Sequence, residues 1–291
     1  MEDHDGSQRV RNRGWPPDLM LHRRTYGAPV AAASMSIEGE TAAYVAAVVA
    51  NGGTVSAARA AILDTFIRAE KASGVWALTD DYWGFWAESE TQALTSLKQR
   101  RLATAVNSPT FTTDRDYTFN GTTSYLNTNF VPSVNAIKYT GTNQRVAVYE
   151  RTNLSSTGFS AGMTTATNNR FTIRALNAGA MAGTANNNAG TVSFAVTDSL
   201  ALKVISRASG GTTAKGYDRG VALTDATGLT VGTGVPAVAL YLAAHNNNGT
   251  TASFRASSLG FAAVGGPLSD TQELAQYNAV QAWATAVGAN V

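Results

Sequence analysis

Residues 108–131 read SPTFTTDRDYTFNGTTSYLNTNFV, and this stretch decides the fold class. Phe111, Tyr117 and Phe119 recur among Thr and Asp, and Asn120-Gly121 follows. A second run then carries Tyr125, Leu126 and Phe130. Strand-forming residues on both sides of Asn-Gly predict a hairpin, because a tight two-residue turn needs φ > 0 at both central positions. Pro109 and Pro132 bracket the stretch, and neither can donate to a ladder, so each marks a strand end.

Working outward, residues 101–264 read as many short strands. Gln144–Tyr149 and Arg170–Arg174 alternate with period two, and 191–196, 201–206, 238–242 and 258–261 continue the series. Turn clusters separate them at Asn168-Asn169, Asn186–Asn188, Gly210-Gly211 and Asn246–Gly249. Short strands at this spacing, with no helices between them, predict a mainly β fold built as an antiparallel sandwich.

Helices flank the strands. Thr41–Asn51 is Ala- and Val-rich and stops at Gly52-Gly53. A second helix starts near Thr54 or Ser56 and places Val55, Ile62, Phe66 and Ala69 on one stripe. Trp76, Tyr82, Trp83, Phe85 and Trp86 follow and are expected to join the core rather than to form a sugar-stacking platform. Ser89–Gln92 has the pattern of a capping box opening a short helix through Leu94 and Leu97. At the far end, Ser269 and Gln272 predict a capped closing helix over 269–287. Its expected apolar stripe is Leu274, Tyr277, Val280, Trp283 and Val287.

The run Tyr117–Thr128 resembles the paired strands of concanavalin A-like (laminin-G-like) jelly rolls, and more narrowly those of tailed-phage virion proteins. In that family a Trp-rich helical lead-in precedes the strands and a helix ending in Gln-Ala-Trp closes the domain. Gly74–Trp86 and Gly266–Trp283 match these flanks, so the resemblance covers roughly residues 60–288. It implies an antiparallel jelly-roll sandwich with an N-terminal helical lead-in and a C-terminal packing helix. The expected organisation is an irregular anchoring arm over 1–40, a helical lead-in over 41–100 and the β-sandwich over 101–291.

Composition narrows the function. The chain has 291 residues, of which 14% are charged against a usual ~25%. Its net charge is +2, with Lys and Arg scattered rather than clustered, which argues against a nucleic-acid partner. No apolar run approaches the ~20 residues of a membrane span. The N-terminal segment lacks the apolar core of a signal peptide, so assembly in a bacterial cytoplasm is expected. There is no cysteine, which removes disulfides and thiol ligands. In the arm, five Arg stand against six Asp and Glu, so it is nearly neutral. Trp15, Leu19, Met20 and Tyr26 are its candidate anchoring contacts to other virion proteins.

Catalytic signals are weak. Glycosidases on this type of sandwich usually supply two acids as a Glu-x-Asp run on one strand, and no such run is present. Glu150 stands alone at a strand end, while Asp114 and Asp116 sit beside Arg115 and read as turn formers. The three histidines, His4, His22 and His245, form no cluster. No cofactor is expected. A calcium site of Asp and backbone carbonyls, which some laminin-G-like domains have, stays open because its ligands are scattered in sequence.

Two functions are therefore carried forward. The first, implied by the resemblance, is a non-enzymatic structural protein on the virion surface of a phage or phage-like particle. It would be a capsid decoration, head fibre or tail-associated protein, and a homo-oligomer. The alternative is a carbohydrate-binding module that attaches to host surface glycans. Its candidate contacts are Asn168, Asn169, Asn187, Tyr217, Tyr241, His245 and Asn247, because amides suit sugar hydroxyls and aromatic rings stack on sugar faces. Asn runs are also ordinary turn chemistry.

Overall fold

The computed structural model describes residues 37–166, 169–186, 190–208, 211–230, 232 and 234–291. Ile37–Val291 form one compact unit. Trp15, Leu19, Met20 and Tyr26 lie outside the described residues, as do Asn168 and Asn187.

Two helices open the unit. α1 (Gly39–Ala50) runs out at Gly52, whose φ of 83° suits a glycine. α2 (Ala57–Ala72) starts at Ser56, whose hydroxyl accepts the N–H of Arg59. After a left-handed Gly74 come the single turn α3 (Val75–Leu78), the strand β1 (Thr79–Gly84) and the short helix α4 (Glu90–Leu94), capped by Ser89. α4 stops before Leu97, earlier than the sequence pattern predicts.

Four short strands follow: β2 (Thr104–Val106), β3 (Thr110–Thr112), β4 (Asp116–Thr118) and β5 (Tyr125–Asn127). The turn α5 (Pro132–Asn135) leads to β6 (Gln144–Glu150), β7 (Ala161–Thr164), β8 (Arg170–Asn177) and β9 (Ala180–Ala185). Then come β10 (Val192–Ala195), β11 (Ala201–Arg207), β12 (Lys215–Asp218) and β13 (Val221–Ala222). The last strands are β14 (Tyr241–Leu242), β15 (His245–Asn247), β16 (Thr250–Ala252) and β17 (Ser258–Gly265). The helix α6 (Asp270–Ala286) closes the chain.

The strands form two sheets. The first has the order β13-β12-β11-β6-β17-β4-β3, with β1 also paired to β17. The second has the order β10-β9-β8-β7-β14-β5-β2, with β15 on β7 and β16 on β15. All pairs are antiparallel except β15 on β7. The fold is the antiparallel jelly-roll sandwich expected from the sequence.

The expected hairpin at Asn120-Gly121 is not one. β4 pairs with β3 and β17 in the first sheet, whereas β5 pairs with β2 and β14 in the second. Asn120 instead builds a crossing turn: its Oδ1 accepts the N–H groups of Thr122, Thr123 and Ser124, with Gly121 at φ 75°. Asn-Gly bends the chain as predicted. The bend joins sheets rather than neighbouring strands, because Tyr117 and Phe119 of the first run and Leu126 and Phe130 of the second fill the same interior. The true local hairpin is β3–β4, turning through Asp114 at φ 60°.

The core has two layers. Between the sheets lie Trp83, Phe85, Tyr117, Phe119, Leu126, Phe130, Phe171 and Ile173. On the outer face of the first sheet, Trp86, Tyr149, Leu202, Val204 and Phe261 pack against Tyr44, Leu63, Phe66 and Trp283 of the helices. The Trp-rich segment is thus buried, and β1 sends Trp83 inward while Trp86 goes to the helical layer. Each such side chain contributes roughly 1.5–3 kcal/mol of burial.

The closing helix packs on the core through Tyr277, Val280, Trp283 and Val287 of its expected stripe, and only Leu274 departs from it. Leu274 is 45% exposed, while Glu273 and Gln276 are fully buried. The cause is polar: Arg145 makes a bidentate pair with Glu273 at 2.7 Å and also donates to Gln276. Gln276 Nε2 in turn donates to Glu70 of α2 at 3.0 Å. A buried guanidinium demands paired acceptors, and this demand outweighs the burial of one leucine.

Candidate functional site

The two sheets differ on their outer faces. The long helices α1, α2 and α6 pack on the first sheet. In the second sheet Leu126, Leu242, Ala161, Met163, Phe171, Ile173, Met181 and Ala185 point into the core. By the period-two alternation of strands, their neighbours face the other way.

Those neighbours form a row in register. Asn127 pairs with Tyr241, Tyr241 with Gly162, Gly162 with Thr172, and Thr172 with Thr184. The row places an amide, a phenol and two hydroxyls side by side, the two threonines hydrogen-bonding at 3.0 Å. Gly162 sits at the centre for a steric reason: a Cβ there would lie 3.0 Å from the ring edge of His245. His245 enters from β15 and shares a 2.7 Å hydrogen bond between its Nε2 and the Thr164 hydroxyl.

Aromatic rings and cations flank this row. Tyr125 and Tyr241 lie with centroids 4.6 Å apart and ring planes tilted by 33°, and Phe254 lies 6.2 Å from Tyr125. Phe159 lies 5.0 Å from the His245 ring, and the Arg174 guanidinium covers Phe159 at 3.8 Å. Arg170 and Arg174 stand on either side of Thr172 on the same strand face. None of the strands of this sheet contains Asp or Glu.

The electrostatics follow from that composition. Burial, with Arg174 and Arg170 adding to it, pushes the His245 pKa down to about 4. The imidazole is therefore neutral at pH 7 and has one donor and one acceptor nitrogen. Burial and the neighbouring Tyr125 raise the Tyr241 pKa, so its phenol stays protonated. The face carries hydrogen-bonding groups and positive charge, without a general base of carboxylate type.

The expected glycan contacts divide. Tyr241 and His245 come together on this face. Asn247 is exposed on the β15–β16 hairpin beside them. Asn169 lies in the β7–β8 turn, where its Oδ1 accepts the N–H of Gly234 and its carbonyl accepts that of Thr165. Tyr217 is corrected: it is fully buried in the first sheet beneath α6, and its hydroxyl donates to Asp270 at 2.8 Å. Sequence reading missed Tyr125, Phe159, Arg170, Arg174 and Phe254. The alternation Arg170-Thr172-Arg174 was a usable signal, since it predicts two guanidinium groups on one side of a strand.

The carboxylates once weighed for chemistry are held in ion pairs. Glu150 and Arg255 are both fully buried and joined by bonds of 2.7 and 2.9 Å, with Ser160 donating to Glu150. Asp114 pairs with Arg59 at 2.6 Å and Asp116 with Arg151 at 2.5 Å. Among the described residues no group of three His, Asp or Glu side chains is placed to hold a metal ion. Among them, too, no helix is long and apolar enough to cross a membrane.

No protein-family model matches the chain, and no curated protein matches it. Among solved structures it is similar to the CBM40 module of the Ruminococcus gnavus IT-sialidase bound to α2,6-sialyllactose. That pair shares 12% identity with a TM-score of 0.39, over 60% of this chain and 97% of the module. For the same module bound to α2,3-sialyllactose the values are 15%, 0.38, 49% and 84%. The Trypanosoma rangeli sialidase in complex with 2,3-difluorosialic acid matches at 11% identity and a TM-score of 0.47, over 75% of this chain and 39% of that one. At these scores the likeness assigns neither a ligand nor a role to any residue of this chain.

Proposed function

We propose that the chain is a non-catalytic glycan-binding sandwich whose ligand is a carboxylated saccharide. The observation that carries this reading is the row Asn127-Tyr241-Gly162-Thr172-Thr184 with Arg170 and Arg174 beside it. Sugar hydroxyls need donors and acceptors in a fixed array; on this face Asn127, Arg170 and Arg174 are half-buried and within reach of a ligand, while Thr172, Thr184 and Tyr241 are 3%, 6% and 9% exposed and lie buried between them. Sugar faces need an aromatic ring, which the Tyr125–Tyr241 pair supplies. Guanidinium groups recognise carboxylates by paired hydrogen bonds. With no Asp or Glu in the strands of this sheet, an anionic ligand meets attraction and no opposing charge.

The test is binding of the full chain to an array of neutral and carboxylated oligosaccharides, α2,3-sialyllactose among them, followed by calorimetry on the best ligand. The reading expects carboxylated sugars to be preferred and Arg174→Ala to remove that preference. Equal binding of neutral sugars, or no binding at all, would sink it.

A second reading, display on a tailed-phage particle in several copies, rests on the sequence resemblance, whose two flanks meet in the fold. Trp86 of the lead-in and Trp283 of the closing helix pack edge to face with centroids 5.5 Å apart. Both flanks thus pack on the first sheet. Immunogold labelling of parent particles tests this: label on the head supports decoration, label on the tail supports receptor recognition, and an absence of label on particles rejects the reading.

A further inference from the structure

A second surface, built from residues outside the glycan face, has the chemistry of a protein-docking site. The loop after α4 and the turn α5 enclose an open cavity of about 400 Å³, lined by Lys98, Arg101, Val134, Ile137 and Lys138 among others. Val134 and Ile137 are 77% and 79% exposed, the highest values among the exposed large apolar side chains of the described residues. Leu102, at 45%, adjoins Arg101. Isolated exposed apolar residues are ordinary, but two at the rim of one cavity with a third beside its cations are not scattered singly.

Three cations, Lys98, Arg101 and Lys138, stand here against two carboxylates, Asp80 and Asp81, which face Lys98 and leave Arg101 and Lys138 in excess. Asp80, at the cavity wall, spends its carboxylate on the N–H groups of Ile137, Lys138 and Tyr139 at 2.8–2.9 Å. Asp81 accepts the N–H groups of Lys98 and Gln99 at 3.1 Å. Gln99 Nε2 then ties the loop to the turn through the carbonyls of Asp80 and Asn135. Both carboxylates therefore fix the two segments, and among the described residues no ion pair engages Lys98, Arg101 or Lys138. Lys98 is held in place by the carbonyls of Trp76 and Thr79.

We propose that this cavity docks an acidic segment of a partner protein that inserts an apolar side chain between Val134 and Ile137. Charge complementarity selects the acidic residues, and the apolar rim selects the inserted side chain. The concavity favours a peptide over a lipid surface, since a bilayer is met by protruding side chains and a cavity is filled by one.

The experiment measures fluorescence anisotropy of the full chain with a labelled peptide alternating Glu and Leu. Peptides alternating Glu with Ser and Lys with Leu serve as controls. The proposal expects saturable binding of the Glu–Leu peptide that weakens with salt, and weaker binding of both controls. Arg101→Glu or Ile137→Ser should each reduce affinity by about tenfold or more, with thermal unfolding and glycan binding unchanged. Absence of peptide binding overturns the proposal, as does binding that survives both substitutions. Binding to phosphatidylserine–phosphatidylcholine vesicles without binding to the peptide also overturns it, in favour of a membrane contact.

Discussion

The indole of Trp283 lies directly over Gly84, so close that a Cβ at that position would fall inside the ring's van der Waals radius. This contact seats the closing helix on the end of β1. Gly84→Ala should cost about 1–3 kcal/mol through overpacking, and Gly84→Ala with Trp283→Phe should recover part of it. Urea unfolding of the three proteins checks this. An unchanged midpoint in the single variant would mean that the helix does not depend on the contact.

Glu150 and Arg255 form a fully buried bidentate pair. Removing one charge leaves the other unpaired in the interior, so Glu150→Gln should destabilise by about 3–5 kcal/mol. If glycan turnover were found and vanished in this variant while its stability stayed intact, the structural role assigned to Glu150 would be wrong.

Glu70 is buried against Tyr82 and Gln276, and burial raises its pKa from 4.5 to about 7. A carboxyl with a raised folded-state pKa stabilises fully below its unfolded pKa, and that contribution is lost as pH rises through the folded one. Stability should therefore fall between about pH 4.5 and pH 7, by up to about 3 kcal/mol at ~1.4 kcal/mol per pH unit. Glu70→Gln should remove this part of the pH dependence. Chemical denaturation at pH 5 and pH 8 tests it, and an identical slope in both proteins would contradict the assignment.

His245 behaves in the opposite sense. Its folded pKa, pushed from 6.5 down to about 4, means that the unfolded chain takes up a proton that the folded chain refuses. Its contribution is complete above about pH 6.5 and is lost as pH falls through 4. Two-dimensional NMR should show the His245 ring unchanged from pH 8 to pH 5. Titration near 6.5 would show that the ring is not enclosed as described.

The sandwich was legible because alternation survives in β6, β8 and β11, where both faces are constrained. β9, with the sequence Ala-Met-Ala-Gly-Thr-Ala, has little strand propensity and owes its place to pairing with β8. The Asn120-Gly121 bend was visible, but whether it joined strands of one sheet or of two depends on contacts distant in sequence. The burial of Glu273 in place of Leu274 was not legible, because Glu273 is buried on account of Arg145, 128 residues away. The proposed glycan face was half legible: Tyr241 and His245 stood out by type, whereas Tyr125, Phe159 and Arg174 gain meaning only from register across β5, β14, β7 and β8.

The most direct test of the central claim is calorimetric titration of the full chain with the carboxylated oligosaccharide selected by the array, repeated with Tyr241→Ala and Arg174→Ala. Loss of one charge-assisted contact, or of the buried Tyr241 ring against which Tyr125 rests, is expected to weaken binding by about tenfold or more (≥ ~1.4 kcal/mol), with the fold retained by circular dichroism. Unchanged affinity in both variants would place the ligand elsewhere and contradict the assignment of this face.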